Sequence, residues 1–206
     1  MKLLENSLSI VIVGYWNKYY MRPDWIATNI FESDEMNVSV GERDGEFFPS
    51  YENNNIIIKP TESRVALSAI NISDETIDNL SKYANNWIDK ATTPELKAYG
   101  LNAIFVDDDS TILANIFDSI IDTTKLIEMG YSTNVTSIKR KLLKEGHEIN
   151  LTYEPHKLSV YIKFNEHHSK PIEETFNITS DSIKAFVLEA KRITLKLGYE
   201  DEMEEG

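Results

Sequence analysis

The chain has no cysteine, only eight glycines and six prolines in 206 residues, and no long apolar run. Without thiols there is no disulfide scaffold, no thiolate metal site and no cysteine nucleophile. So few glycines leave few loops able to cradle phosphate. The Gly-x-x-x-x-Gly-Lys-Ser/Thr, Gly-x-Gly-x-x-Gly, His-Glu-x-x-His and Gly-x-Ser-x-Gly patterns are all absent. The apolar stretch near the start, Ile10 to Val13, is far short of the ~20 residues that cross a bilayer as a helix. Glu5 and Asn6 accompany Lys2, and no small-residue cleavage site follows, so no secretory signal is read. The expected location is the cytoplasm, with no membrane partner and no cofactor.

Positive charge is also scarce. Against 34 Asp and Glu stand 21 Lys and Arg, a net charge of −13. Residues 1–130 hold 10 basic and 21 acidic side chains, residues 131–199 hold 11 and 8, and the tail 200–206 adds five acids. Nucleic-acid backbones need cationic neutralisation, so no nucleic-acid partner is expected. The Lys139-Arg140-Lys141 cluster reads as the wet face of a strand. A negative first half keeps the protein dispersed, and it speeds encounter with a basic protein.

What is present is a core-forming pattern, with 41% hydrophobic and 10% aromatic residues. Leu8–Gly14 is a buried strand. Pro23 and Asp24 start a short helix with Trp25, Ile26, Ile30 and Phe31 as its stripe. Residues 36–40 alternate as a strand, 41–55 read as a polar loop, and strands follow at 56–58 and 65–70. Ser73 caps a helix over 74–90, with Ile77, Leu80, Ala84, Trp87 and Ile88 at helical spacing. After the break at Pro94 come a strand over 99–106 and a helix from Asp107 with Ile112, Leu113, Ile116, Phe117 and Ile120. Three extended segments, about 133–143, 148–154 and 158–165, precede a last helix capped by Thr179. The spacing therefore predicts an α+β fold, an antiparallel sheet with helices on one face. The order reads strand, helix, three strands, helix, and then the same again.

Residue matches support an internal duplication. Ile26-Ala27-Thr28-Asn29-Ile30-Phe31 and Ile112-Leu113-Ala114-Asn115-Ile116-Phe117 share four of six residues, and Asn71-Ile72-Ser73 parallels Asn177-Ile178-Thr179. The expected organisation is a first repeat over 1–92, a second over 93–199 sharing one core, and a disordered acidic tail over 200–206. Two such units make one curved sheet, comparable in architecture to the duplicated TATA-binding-protein fold. The charge here opposes DNA binding, and fold does not give function.

One stretch carries a family resemblance. Ile58-Lys59-Pro60-Thr61-Glu62-Ser63-Arg64-Val65 leads through a strand to a helix, then to Thr93-Pro94 and Ala98-Tyr99-Gly100-Leu101-Asn102. This is similar to a widespread group of uncharacterised bacterial proteins that share a proline-turn strand, a helix, a Thr-Pro element and an Ala-x-Gly-x-Asn strand. The resemblance implies a bacterial or phage origin and no activity.

Three readings of function follow. The leading one is a non-enzymatic protein–protein interaction module: an inhibitor, an immunity-type protein or an accessory subunit. Its anchors are Tyr15, Trp16, Tyr19, Tyr20 and Arg22, residue types enriched at interface hot spots. Phe47 and Phe48 in the 41–55 loop form a further contact surface. The core alternative for this segment buries Trp25 and Trp16 and leaves the tyrosines over the sheet edge. The rival is a metal-dependent enzyme using Asp107-Asp108-Asp109, carboxylates that serve equally as a helix start. The third is a homodimeric structural protein. His167-His168 is read as part of a polar loop, and His147 and His156 as residues near turns.

Overall fold

The computed structural model describes residues 1–43, 46–91, 96–108, 128–129, 137–144, 147–156, 159–169 and 176–199. The strands are β1 (Lys2–Leu3), β2 (Ser9–Val13), β3 (Asn37–Arg43), β4 (Glu46–Asn53), β5 (Ile56–Pro60), β6 (Arg64–Ala69), β7 (Ala98–Asp107), β8 (Ile138–Lys144), β9 (His147–His156) and β10 (Ser159–Ser169). They form one antiparallel sheet of ten strands in the order β3-β4-β5-β6-β2-β7-β10-β9-β8, with β1 beside the far end of β7. The α+β class and the antiparallel sheet are as the sequence predicts. The strand expected at 99–106 runs from Ala98 to Asp107, and the three later segments are β8, β9 and β10.

Among the described residues three helices of known extent accompany the sheet. Helix α1 (Pro23–Ile26) runs on as a π-turn over Ala27–Phe31, α2 spans Asp74–Lys90, and α3 spans Ser180–Lys196. Pro23 sits at the first helical position, where its missing N–H is no loss. The chain leaves the π-turn through Glu32, which is left-handed at φ 53°. Ser73 caps α2 by accepting from the Thr76 N–H at 3.1 Å. Thr179 and Ser182 close a reciprocal capping box on α3.

Alternation along the strands decides which face is covered. Ile10 and Ile12 of β2, Ile56 and Ile58 of β5, Val65 and Leu67 of β6, Leu101 and Phe105 of β7, and Ile162 and Phe164 of β10 are all buried. These residues pair across the strands on one face, against which the helices pack. The opposite face is more polar. Along one row it carries Asn150, Asn165, Asn102, Ser9 and Ser68 in register. The side-chain amides of Asn165 and Asn150 donate to their neighbours in this row, at 2.9 Å to Asn102 and 3.3 Å to Asn165.

The segment 41–55 corrects the sequence reading. It is not a polar loop but the end of β3, all of β4 and a tight turn. Pro49 is tolerated because β4 pairs with β5 only through Tyr51, Glu52 and Asn53, so Pro49 has a strand neighbour on one side alone. Asn54 and Asn55 both take positive φ, 46° and 61°, between the paired residues Asn53 and Ile56. That is a two-residue hairpin of the primed type, for which Asn is well suited. Four strands, not three, therefore lie between α1 and α2. His167 and His168 are likewise in β10, not in a loop.

The helix expected from Asp107 and the tail 200–206 lie beyond the described residues, as does the segment 112–117 that matched 26–31. The Asn-Ile-Ser/Thr pair does occupy corresponding places, each leading into a 17-residue helix. Internal duplication is not established by this correspondence.

Candidate functional site

The aromatic segment after β2 is held by backbone bonds before any side chain is considered. The Gly14 and Trp16 N–H groups donate to the Ser63 and Glu62 carbonyls at 3.2 and 2.9 Å, tying the segment to the turn before β6. Asn17 then caps a short 3₁₀ turn over Lys18–Met21, accepting from the Tyr19 N–H at 2.9 Å. From below, the Tyr51 hydroxyl on β4 donates to the Met21 carbonyl.

Within this frame the aromatic rings form a chain that runs outward from the core. Trp87 of α2 is fully buried and receives Trp16 and Trp25 edge-on, each with ring centroids 5.7 Å away. Tyr20 packs on Trp25 at 4.9 Å, and Tyr19 on Tyr20 at 5.8 Å. These are the edge-to-face geometries that aromatic quadrupoles favour. Trp16 is only 4% exposed, whereas Tyr19 is 52% and Tyr15 57% exposed. Trp16 is therefore a core residue and leaves the set of accessible anchors. Its side chain follows the core alternative, and the tyrosines form the outward end.

Each exposed tyrosine has a cation over its ring. The Arg22 guanidinium lies 5.3 Å from the Tyr19 centroid, and the Lys97 ammonium 4.4 Å from that of Tyr15. Arg22 is held by a two-pronged contact with Asp24, at 3.1 and 2.7 Å. Lys18 meets Glu62 at 2.9 Å, but both are well exposed, and such pairs contribute little. Lys97 was not legible as part of this surface. It is far from Tyr15 in sequence and reaches it because the Lys97 N–H donates to the Val13 carbonyl at 2.8 Å.

Of the other expected contact pair, Phe47 and Phe48, it is Phe48 that separates from the tyrosine surface. Phe48 is on β4, three residues from Tyr51, and so falls on the sheet face opposite the one that supports Met21. It is partly exposed. Phe47 pairs with Glu42 along the backbone.

The acidic candidate is placed only in part. The Asp107 carboxylate lies 3.3 Å from the amino-terminal ammonium of Met1, an ion pair rather than a metal cradle, and Asp109 is outside the described residues. Among the described residues no three His, Asp or Glu side chains converge as a metal site, and no helix is long and apolar enough to cross a membrane. His156 stacks on Tyr161 with centroids 5.3 Å apart, and the His167 ring is 3.1 Å from the Ser169 hydroxyl. His168 lies on the helix-covered face beside Glu166, with 3.4 Å between Nε2 and Oε1.

Glu32, which ends the π-turn, anchors this region to α2. It bonds Lys90 at 2.8 Å and Lys82 at 2.9 Å. Hydrogen bonds from the two ammonium groups, with their charge, hold its carboxyl at about 2.

Comparison with known proteins adds no assignment: no protein-family model matches this chain, and no curated protein matches it significantly.

Proposed function

We propose that this chain is a non-enzymatic protein–protein interaction module whose contact surface is the outward end of the aromatic chain. The observation that carries the reading is that Tyr15 and Tyr19 are more than half exposed yet fixed in place. The capped 3₁₀ turn, the edge contact with Tyr20 and the Arg22 cation hold Tyr19, and the Lys97 cation lies over Tyr15. Large amphipathic rings already held in one geometry lose little side-chain entropy on binding, the property that makes Tyr and Arg effective interface anchors. The net negative charge of residues 1–130 steers a basic partner toward it. On this reading the protein acts in the cytoplasm as an inhibitor, an immunity-type protein or an accessory subunit of a bacterial or phage complex.

A tagged pull-down from the source cell, with nuclease treatment and mass spectrometry, tests it. The expected result is one stoichiometric, nuclease-resistant protein that is lost with Tyr15→Ala/Tyr19→Ala. That double variant should keep the thermal midpoint of the parent. Retention of the partner by the variant would remove the surface from consideration, and recovery of no stoichiometric protein would overturn the function.

A further inference from the structure

Strand β8 (Ile138–Lys144) ends the sheet order, so among the described residues it pairs on one side only, with β9. An edge strand presents a row of backbone N–H and C=O groups that a further extended segment can complete. Lys139, Arg140 and Lys141 are exposed along it, and Leu143 is 73% exposed. The strand holds four cations and no acid, in a chain whose net charge is −13.

The two faces of this edge differ. Lys139 and Lys141 share the open face of the sheet, opposite Thr152 and Asn150 of β9. Ile138 and Leu142 stand on the helix-facing side, opposite Tyr153 and Ile149, and pack against the core while remaining partly exposed. Side-chain alternation then fixes what a further strand on this edge would need. Acids belong on its open face beside Lys139 and Lys141, and apolar side chains on the other, extending the layer of Ile138 and Leu142. Lysines along an edge guard against self-pairing, because a second β8 would bring like charges together. That guard is selective, since a strand of opposite charge meets attraction at the same positions.

The cations are available for such a contact. Among the described residues Lys139 and Arg140 have no ion-pair partner. Lys141 is 2.7 Å from Glu148, but that pair is largely open to solvent and holds it weakly. Farther across the open face Lys163 meets Glu154. A nucleic-acid backbone laid over this face would cross both carboxylates. A strand added beside β8 lies on the side away from them.

We propose that the β8 edge receives an extended segment of a protein partner in which acidic and apolar residues alternate, bound by main-chain pairing. The site is separate from the tyrosine surface and does not depend on the interaction reading there.

The test is fluorescence anisotropy of the full chain with a labelled octapeptide of alternating Val and Glu. The controls are alternating Val and Lys, the same Val and Glu residues in two blocks, and an oligo-thymidine strand. The Val-Glu peptide should bind at least about tenfold tighter than either control peptide, and less tightly as KCl rises. Lys139→Glu/Lys141→Glu, with its circular dichroism spectrum retained, should lose at least about tenfold for that peptide and gain affinity for Val-Lys. Lys139→Gln/Lys141→Gln should weaken binding several-fold if the reversal disturbs the fold. Successive N–H groups of a strand point to opposite edges, so N-methylating every valine nitrogen or every glutamate nitrogen should have unequal effects, one set abolishing binding. No binding at low salt, equal binding of the block peptide, equal tolerance of both methylated peptides, or affinity unchanged in the charge variants would each refute the proposal. Oligo-thymidine binding that exceeds the peptide's and is lost on charge reversal would assign the strand to nucleic acid and overturn it as well.

Discussion

Replacing Trp16 separates the core from the surface in this aromatic segment, because neighbouring rings there should respond very differently. Trp16 is 4% exposed and packs on the fully buried Trp87. Truncating a buried tryptophan to alanine typically costs about 3–5 kcal/mol, from lost transfer energy and the cavity left behind. Tyr19, half exposed at the outer end of the same chain, should cost under about 1 kcal/mol as alanine. With a urea slope of ~1–3 kcal/mol/M, Trp16→Ala should lower the midpoint by roughly 1–5 M and Tyr19→Ala by far less. Circular dichroism is the right probe, since fluorescence would lose one of its reporters. Trp16→Phe guards against outright unfolding. It keeps a ring against Trp87 and removes an indole N–H that has no hydrogen-bond partner among the described residues, so it should cost only about 1 kcal/mol. If Trp16→Ala cost less than about 1 kcal/mol, or no more than Tyr19→Ala, the ring chain would not be the support of this surface.

Other perturbations test the frame around it. The Asn85 amide grips the buried Ile178 backbone from both sides, donating to its carbonyl at 2.7 Å and accepting from its N–H at 3.1 Å. Asn85→Leu should therefore cost about 2–4 kcal/mol in urea unfolding. A Cβ on Gly100 would stand 2.9 Å from the Asn165 amide nitrogen, so Gly100→Ala should destabilise by about 1–3 kcal/mol. Asn165→Ala in the same chain should recover part of that loss in a double-mutant cycle. The Glu32 carboxyl is depressed from 4.5 to about 2 in the fold, so its contribution to stability is full above 4.5 and is lost as pH falls through about 2. Glu32→Gln should flatten the stability profile in that window, and carbon-detected NMR titration of the carboxyl gives the folded value directly.

The parts of the fold legible in the sequence are those where one local signal dominates. Helix α2 follows from Ser73 as its cap and from the period of Ile77, Leu80, Ala84 and Trp87, and its observed limits, Asp74–Lys90, match that reading. Helix α3 follows in the same way from Thr179. Strand β4 was hidden by residues that normally punctuate loops. Gly41, Pro49 and the asparagines each have a place here, because this hairpin has an edge position for proline and a primed turn for Asn54 and Asn55. The surface was half legible. Clustered tyrosines announce a contact segment, but only packing against Trp87 tells a buried Trp16 from an exposed Tyr19. Lys97 and the Glu166–His168 pair gave no readable signal. Sheet register brings Lys97 to Tyr15. Glu166 and His168 have the pattern of a solvated polar run in the sequence, and only the β10 register sets Glu166 between Leu101 and Ile149.

The two halves of the chain share one sheet and one core, and from where their contacts fall they should unfold together. Strand β7, the first of the second half, is bonded along one edge to β2 and β1 of the first, from Ala98 against Val13 to Val106 against Lys2. Along its other edge it carries β10. Separating the halves would therefore strip one side of β7 and expose Ile10, Ile12, Leu101 and Phe105 at once. Above the sheet, α2 of the first half holds the Ile178 backbone with Ser81 and Asn85, and Ile178 leads into the Thr179 cap of α3. Helix α3 thus starts from a residue fixed by the helix that also supports the tyrosine surface. Unfolding should be a single transition, with circular dichroism and tryptophan fluorescence coincident although all three tryptophans lie before residue 92. Two separated transitions would mean that the β2–β7 seam does not bind the halves together.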